Sequence, residues 1–402
     1  MKNSLFTCLF LFIALLSACE DGPPVLPGLT KSEISVITDP DSVIVKFNNN
    51  ELESITPFNL GDLEPGFYRI DLSRATYLDT TIYQIIRRNV TDTISIEMRE
   101  LPAYWWKVYN VSNSQIPTNQ ITKIRVDKQN NKWIGTRGSG LIKFIDSTFT
   151  VYNTANSGIP DNSINDIYIE ENGTLLIATR NGFAKFDGAN WQVFNSSNIN
   201  IPEDDITSIS VDKNGIYWLG TTSSGLIKFD GVEVTVYNYS NSGLPLNYVN
   251  SVTVDENNLK WIGTWGEGIA TFDGVNWQVY NSLFNGLSSL YISIIIIDHE
   301  NVKWIASADG LMKYDDTKFT NYSPFTSGLP GSKVTDIALD EKDNLWITTD
   351  NGFARFDRIK WKIYNTLNSG LPSNTTISVA VDLNQDKWIA TAGLAKYMGG
   401  KR

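Results

Sequence analysis

The chain has 402 residues, enough for two or three domains or one large repeat array. Its 33 basic residues face 44 acidic ones, a net charge of −11, so it has no basic footprint for nucleic acid. A single histidine excludes a His-rich metal site and leaves acid–base chemistry mostly to carboxylates.

The amino terminus reads as an address. Met1-Lys2-Asn3 carries one positive charge, Leu5 to Leu16 is almost unbroken apolar sequence, and Ser17-Ala18-Cys19 follows. That order describes an export signal, too short for a stable membrane span. Leu16-Ser17-Ala18-Cys19 resembles the lipobox of bacterial lipoproteins. The resemblance implies that residues 1–18 are removed and that Cys19 takes acyl chains on its sulfur and new amino group. It also implies a place in the bacterial cell envelope, at the outer membrane or cell surface rather than the inner membrane. Removing Lys2 leaves 32 basic and 44 acidic residues, a net charge of −12. Cys8 leaves with the signal and the lipid consumes Cys19, so disulfides and thiolate metal sites are not expected. Residues 19–32, with Pro23, Pro24 and Pro27, read as a stiff tether. No other apolar run is long enough to cross a bilayer, so lipid is the expected membrane link.

Residues 33–100 contain no tryptophan and alternate apolar with polar in short runs. Ile34–Ile37, Val43–Phe47, Phe67–Leu72 and Thr93–Ile96 are strand-like, with turns at Asn48-Asn49-Asn50 and Pro65-Gly66. Pro40-Asp41-Ser42-Val43, Thr56-Pro57 and Leu63-Glu64-Pro65-Gly66-Phe67-Tyr68 resemble the signature segments of the PEGA domain, with a degenerate naming tetrad. The resemblance implies a small exported β-sandwich that acts as a spacer.

Residues 101–402 repeat one unit. A core aromatic or leucine recurs at Trp133, Leu176, Trp218, Trp261, Trp304, Trp346 and Trp388, at spacings of 42 or 43 residues. Six positions before each lies an acid: Asp127, Glu170, Asp212, Asp255, Asp298, Asp340 and Asp382. Trp106, Trp191, Trp277 and Trp361 open a further apolar strand. Four short strands in such a period are the signature of a propeller blade. The strand at Trp106 precedes the first core, and the chain ends after the third strand of the last unit. One amino-terminal and three carboxyl-terminal strands must therefore share a blade. The fold expected is all-β: a seven-bladed propeller closed one-plus-three, preceded by the PEGA-like sandwich.

Asn238-Tyr239-Ser240-Asn241-Ser242-Gly243-Leu244-Pro245, then Val249 to Asp255 and Lys260-Trp261-Ile262-Gly263-Thr264, resemble the two-component regulator propeller repeat. The resemblance covers residues 103–397 and implies an exported sensing module. With no kinase or DNA-binding segment after Arg402, signalling output is expected from another chain. Gln115 and Asn200 replace the loop glycine in two copies, and the loop at Gln115 is expected to bend differently because glutamine avoids left-handed backbone.

Several motifs read as structural. The Asp-x-Asn/Gln runs, such as Asp127 to Asn130, lack the ligand count of a calcium loop and read as hairpin turns. His299 aligns with variable turn positions and reads as solvated. Trp265 differs, because other copies place Arg137, Arg180, Thr222, Asp350 or Ala392 in the same turn. Trp265, Glu267, Tyr248 and Tyr291 are expected to converge on one sector of the propeller face, with Arg137 and Arg180 across the funnel. The function expected is non-enzymatic binding or scaffolding, with a glycan, peptide or protein as partner, in a monomer without cofactor or metal. The alternative is a polysaccharide-active hydrolase or lyase using face carboxylates such as Glu267 and Asp309.

Overall fold

The computed structural model describes residues 32–48, 52–88, 90–99, 101–281 and 285–399. The lipobox, Cys19 and the tether up to Lys31 lie outside these residues, as do Asn49 and Asn50. The chain divides into two compact units, Met1–Glu100 and Leu101–Arg402.

The first unit holds β1 (Ser32–Asp39), β2 (Ile44–Phe47), β3 (Leu52–Ile55), β4 (Phe58–Leu63), β5 (Gly66–Ser73), β6 (Thr80–Ile86) and β7 (Thr91–Glu97). One sheet has the order β4-β1-β7 and the other β3-β2-β5-β6. Alternation sends Ile34 and Val36 of β1 inward, where they meet Val45, Phe47, Ile70 and Leu72 of the facing sheet. The residues that carried the domain resemblance lock one another. The Thr56 hydroxyl lies 2.5 Å from that of Thr38 and accepts the Val43 N–H at 3.0 Å, while Thr38 donates to the Pro40 carbonyl at 2.7 Å. Strands β3, β4 and β6 were not expected from sequence. In β6 the exposed Tyr83 and Ile85 alternate with the half-buried Ile82 and buried Ile86, so the apolar pattern loses its period of two.

The second unit holds seven four-stranded sheets among the described residues. Six are built from consecutive strands. The last sheet joins three carboxyl-terminal strands to Trp106–Tyr109, with Leu394 opposite Tyr109 and Tyr397 opposite Trp106. First strands of successive sheets touch in ring order, and Ile121–Val126 meets Ser378–Val381 to close it. Across that seam the Ile124 N–H donates to Ser378 Oγ at 3.1 Å, and Lys132 lies 3.0 Å from the Asp382 carboxylate. The unit is a β-propeller.

Chemistry explains the acid placed six residues before each core ring. Asp127 accepts the N–H groups of Gln129 and Asn131 at 3.0 and 2.8 Å, closing the turn, and the Trp133 indole N–H at 2.8 Å. The same indole–carboxylate bond recurs at Trp218, Trp261, Trp304, Trp346 and Trp388, at 2.9–3.2 Å. Both Asp127 oxygens are spent on hydrogen bonds from the chain itself.

The loop glycines have a different reason from the one expected. Gly158, Gly243, Gly328, Gly370, Gln115 and Asn200 all avoid positive φ. Instead, a Cβ on Gly158, Gly243, Gly328 or Gly370 would fall 2.3–2.4 Å from the Cβ of Trp191, Trp277, Trp361 or Trp106. The sheets that follow Gln115 and Asn200 carry Phe149 and Val234 in place of that tryptophan. At these four positions glycine is required because the indole crosses the loop, whereas Gly286, whose following sheet has Phe319 instead of tryptophan, does take a positive φ of 81°.

Candidate ligand-binding face

A common backbone frame surrounds the mouth of the ring. In four of the sheets the turn after the second strand donates an N–H to the residue preceding its own first strand. Arg137 donates to Gln120 at 3.0 Å, Trp265 to Tyr248 at 3.1 Å, Ala308 to Tyr291 at 3.0 Å and Asp350 to Lys333 at 3.1 Å. Two of these turns also bridge to the next sheet, Arg137 to Ser163 and Trp265 to Tyr291. Because main-chain atoms make the frame, the side chains at these positions are free to vary.

In one sector they form an aromatic cluster. The Trp265 ring lies 5.6 Å from Tyr291, edge to face at 72°, and 6.5 Å from Tyr248. The Lys333 ammonium sits 5.9 Å from the centre of the Trp265 ring, within cation–π range. Trp265 is half-buried and Tyr291 is 48% exposed, so the cluster faces solvent rather than a sheet interface. Trp265, Tyr248, Lys333 and Arg137 line a cavity of about 920 Å³ that runs down the ring of first strands.

Tyr291 does not line that cavity but props Trp265 from the side. Glu267 is exposed and outside the lining, its N–H bonded to Thr264 Oγ1 at 3.1 Å. Arg180 is exposed and outside it too; burial raises the neighbouring Asp205 carboxyl above its usual range, and the hydrogen bond from Asn165 and the charge of Arg180 only partly oppose this. Asp309 is exposed and accepts the Ser289 hydroxyl at 2.7 Å. His299 is 76% exposed in its turn and lies 2.6 Å from Asp343, whose hydrogen bond holds the imidazole above its usual range.

Sequence reasoning missed two groups. Lys333 immediately precedes its first strand, the register that Tyr248 and Tyr291 occupy, so the same alignment would have found it. The second group lies deeper. Lys123, Arg125, Asp166 and Asp336 all line the channel or touch its lining. Lys123 is 3.4 Å from Asp336, and Arg125 is 3.6 Å from Asp166 and 3.9 Å from Asp336. Burial pushes the Lys123 ammonium below its usual range, and the neighbouring Arg125 adds repulsion, against the pull of Asp336 and Asp166. Asp336 also accepts the Ser378 hydroxyl at 2.6 Å and the Val379 N–H at 3.3 Å. The cluster thus ties neighbouring first strands across the ring. Its signal was a charged residue where three other copies have Ser208, Ser251 and Ser378. On the first strand next to that of Asp336, Ile294 and Ile296 add an apolar patch, while Ser208, Asn250, Ser251 and Thr253 line the facing strands. The site offers ring faces, two mouth cations and a channel that is charged on one side and lined by hydroxyl, amide and isoleucine side chains on the other.

The model of the family described as two component regulator propeller matches residues 200–223 and 328–351. No curated protein matches the chain in sequence. Among solved structures, one similar fold is the extracellular domain of a protein from B. thetaiotaomicron described as a hybrid two component system. It aligns at 19% identity and a TM-score of 0.65 over 83% of this chain and 50% of its own. A second extracellular domain from B. thetaiotaomicron, described as that of a one component system, aligns at 18% and 0.60 over 73% and 40%. Virginiamycin B lyase from Staphylococcus aureus aligns at 14% and 0.58 over 72% and 98%. This chain therefore spans half or less of the two sensor-system domains, and at these identities the likeness is one of fold.

Proposed function

We propose that this chain is an exported, non-enzymatic binding protein, lipid-anchored through Cys19, whose propeller mouth holds a glycan, peptide or protein partner in a sensory role. The observation that carries the reading is the Trp265–Tyr248–Tyr291 cluster with Lys333 against its indole. Rings give broad apolar contact, and a few oriented polar groups give selectivity, the usual make-up of a binding pocket. Arg137 adds a second cation at the mouth for an acidic group on the partner. The match to a regulator propeller family and the similarity to extracellular sensor-system domains support a sensory context. The sandwich of residues 33–100 serves as the PEGA-like spacer between lipid and propeller.

The competing reading, an enzyme acting on polysaccharide, needs an oriented pair of carboxyls beside the substrate. Glu267 and Asp309 are exposed and lie outside the cavity lining. The test is incubation of the purified protein with a panel of polysaccharides and peptides, followed by analysis of both retained ligand and released product. Retention of an unchanged ligand is expected. Catalytic release of product from any member would overturn the reading.

A further inference from the structure

The four-stranded sheet of the first unit turns Val45, Phe47, Ile70 and Leu72 into the core, which should leave its outer face polar. At one end it does not. Phe67, Tyr83 and Ile85 are 66%, 61% and 61% exposed. Phe67 stands opposite Ile85 in the β5–β6 register, and its ring stacks on Tyr83 with centroids 5.4 Å apart and planes within 15°. The three side chains make one patch, two of them on the edge strand β6.

The same end receives the chain. The Ser32 hydroxyl donates to the Arg87 carbonyl at 2.5 Å, two residues beyond Ile85, and the Glu33 N–H donates to Val90 at 3.1 Å. Twelve residues, 20–31, lie between Cys19 and Ser32, and the thirteen steps of chain reach at most about 45 Å. A lipid on Cys19 would hold a bilayer within that distance of the patch and raise its effective concentration there.

We propose that Phe67, Tyr83 and Ile85 dock on the surface of the bilayer to which Cys19 fixes the chain, an inference that rests on the lipid-anchor reading above. Aromatic side chains settle at the boundary of headgroups and acyl chains, with the ring in the apolar layer and the tyrosine hydroxyl in the wet one. Arg87 and Arg88, both exposed, stand where they meet lipid phosphates. Glu33 and Glu64 are exposed at this end as well, so apolar burial rather than net charge supplies the attraction.

The mature chain with Cys19→Ala has no cysteine, so Ile85→Cys gives a single point for a polarity-sensitive dye. An amino-terminal histidine tag holds this full-length chain on vesicles that contain nickel-chelating lipid, with either phosphatidylcholine or phosphatidylglycerol as the bulk lipid. The dye should shift to the blue on tethering in both lipids. Phe67→Ser should lower the inserted fraction about tenfold, and the joint change Arg87→Glu with Arg88→Glu should remove any excess with phosphatidylglycerol. Emission equal to that of the free chain on both vesicles would overturn the proposal. So would a blue shift without vesicles that grows with protein concentration, which assigns the patch to a second copy. The tag replaces the acyl chains, so failure here leaves the anchor reading standing. Membrane fractionation of cells that make the unmodified or the Cys19→Ala chain tests that reading separately.

Discussion

The buried indole–carboxylate pair closes the turn in six of the seven sheets, the exception being the one with Leu176 at the core position. Burial alone would raise the Asp340 carboxyl, and hydrogen bonds from Asn344, the Trp346 indole and backbone N–H groups outweigh it, holding it below its usual range. A depressed carboxyl contributes stability above its unfolded pKa near 3.8, and the contribution is lost as pH falls through the lower folded value. Trp346 is fully buried, so Trp346→Phe keeps most of the packing but leaves the carboxylate one donor short. Urea unfolding should show a loss of about 1.5–3 kcal/mol at neutral pH, shrinking as Asp340 is protonated. An unchanged midpoint would show that the bond contributes nothing. This pair was half legible in sequence: the constant interval between acid and ring was visible, but not that one oxygen of the acid closes the turn while the other takes the indole.

The loops between sheets show where sequence reasoning stops. Gly328 and Trp361 are 33 residues apart, and each looked like an independent repeat feature. Only the ring geometry brings the indole across the loop, which is why a departure at Gln115 suggested backbone handedness when its cause is the Phe149 that replaces a tryptophan. Gly328→Ala should destabilise the propeller by about 1–3 kcal/mol through overpacking. Asn200→Ala, at an exposed position whose following sheet has Val234 in place of the tryptophan, should stay within about 0.5 kcal/mol. Thermal melts of both variants check the contrast, and equal melting temperatures would refute the steric account. Likewise, Trp265 was legible because it broke the repeat pattern. Lys333 holds the equivalent register, but lysine is ordinary on a surface and its sequence position alone does not single it out. Only the fold shows it lying against the Trp265 ring.

The ring as a whole depends on one short strand from the other end of the chain. Trp106–Tyr109 completes the last sheet, and Trp106 packs on Tyr397 with ring centroids 4.7 Å apart. Deleting residues 101–110 bares the edge of Gly393–Tyr397, and unpaired edges invite association. The deletion should aggregate or lose its cooperative melt, and a melt equal to that of the full chain would mean that closure does not need this strand. Order and closure of the strands were legible because the repeat could be counted. The sector chosen for binding was legible only in part, since of its six residues the fold gathers Trp265, Tyr248 and Tyr291, sets Arg137 on the cavity wall, and leaves Glu267 and Arg180 outside it. The most direct test of recognition at the propeller mouth is calorimetric titration of the first retained ligand into wild-type protein and Trp265→Ala. The account predicts a loss of about 2 kcal/mol or more in binding with an unchanged melting temperature, and equal affinity in the two proteins would contradict it.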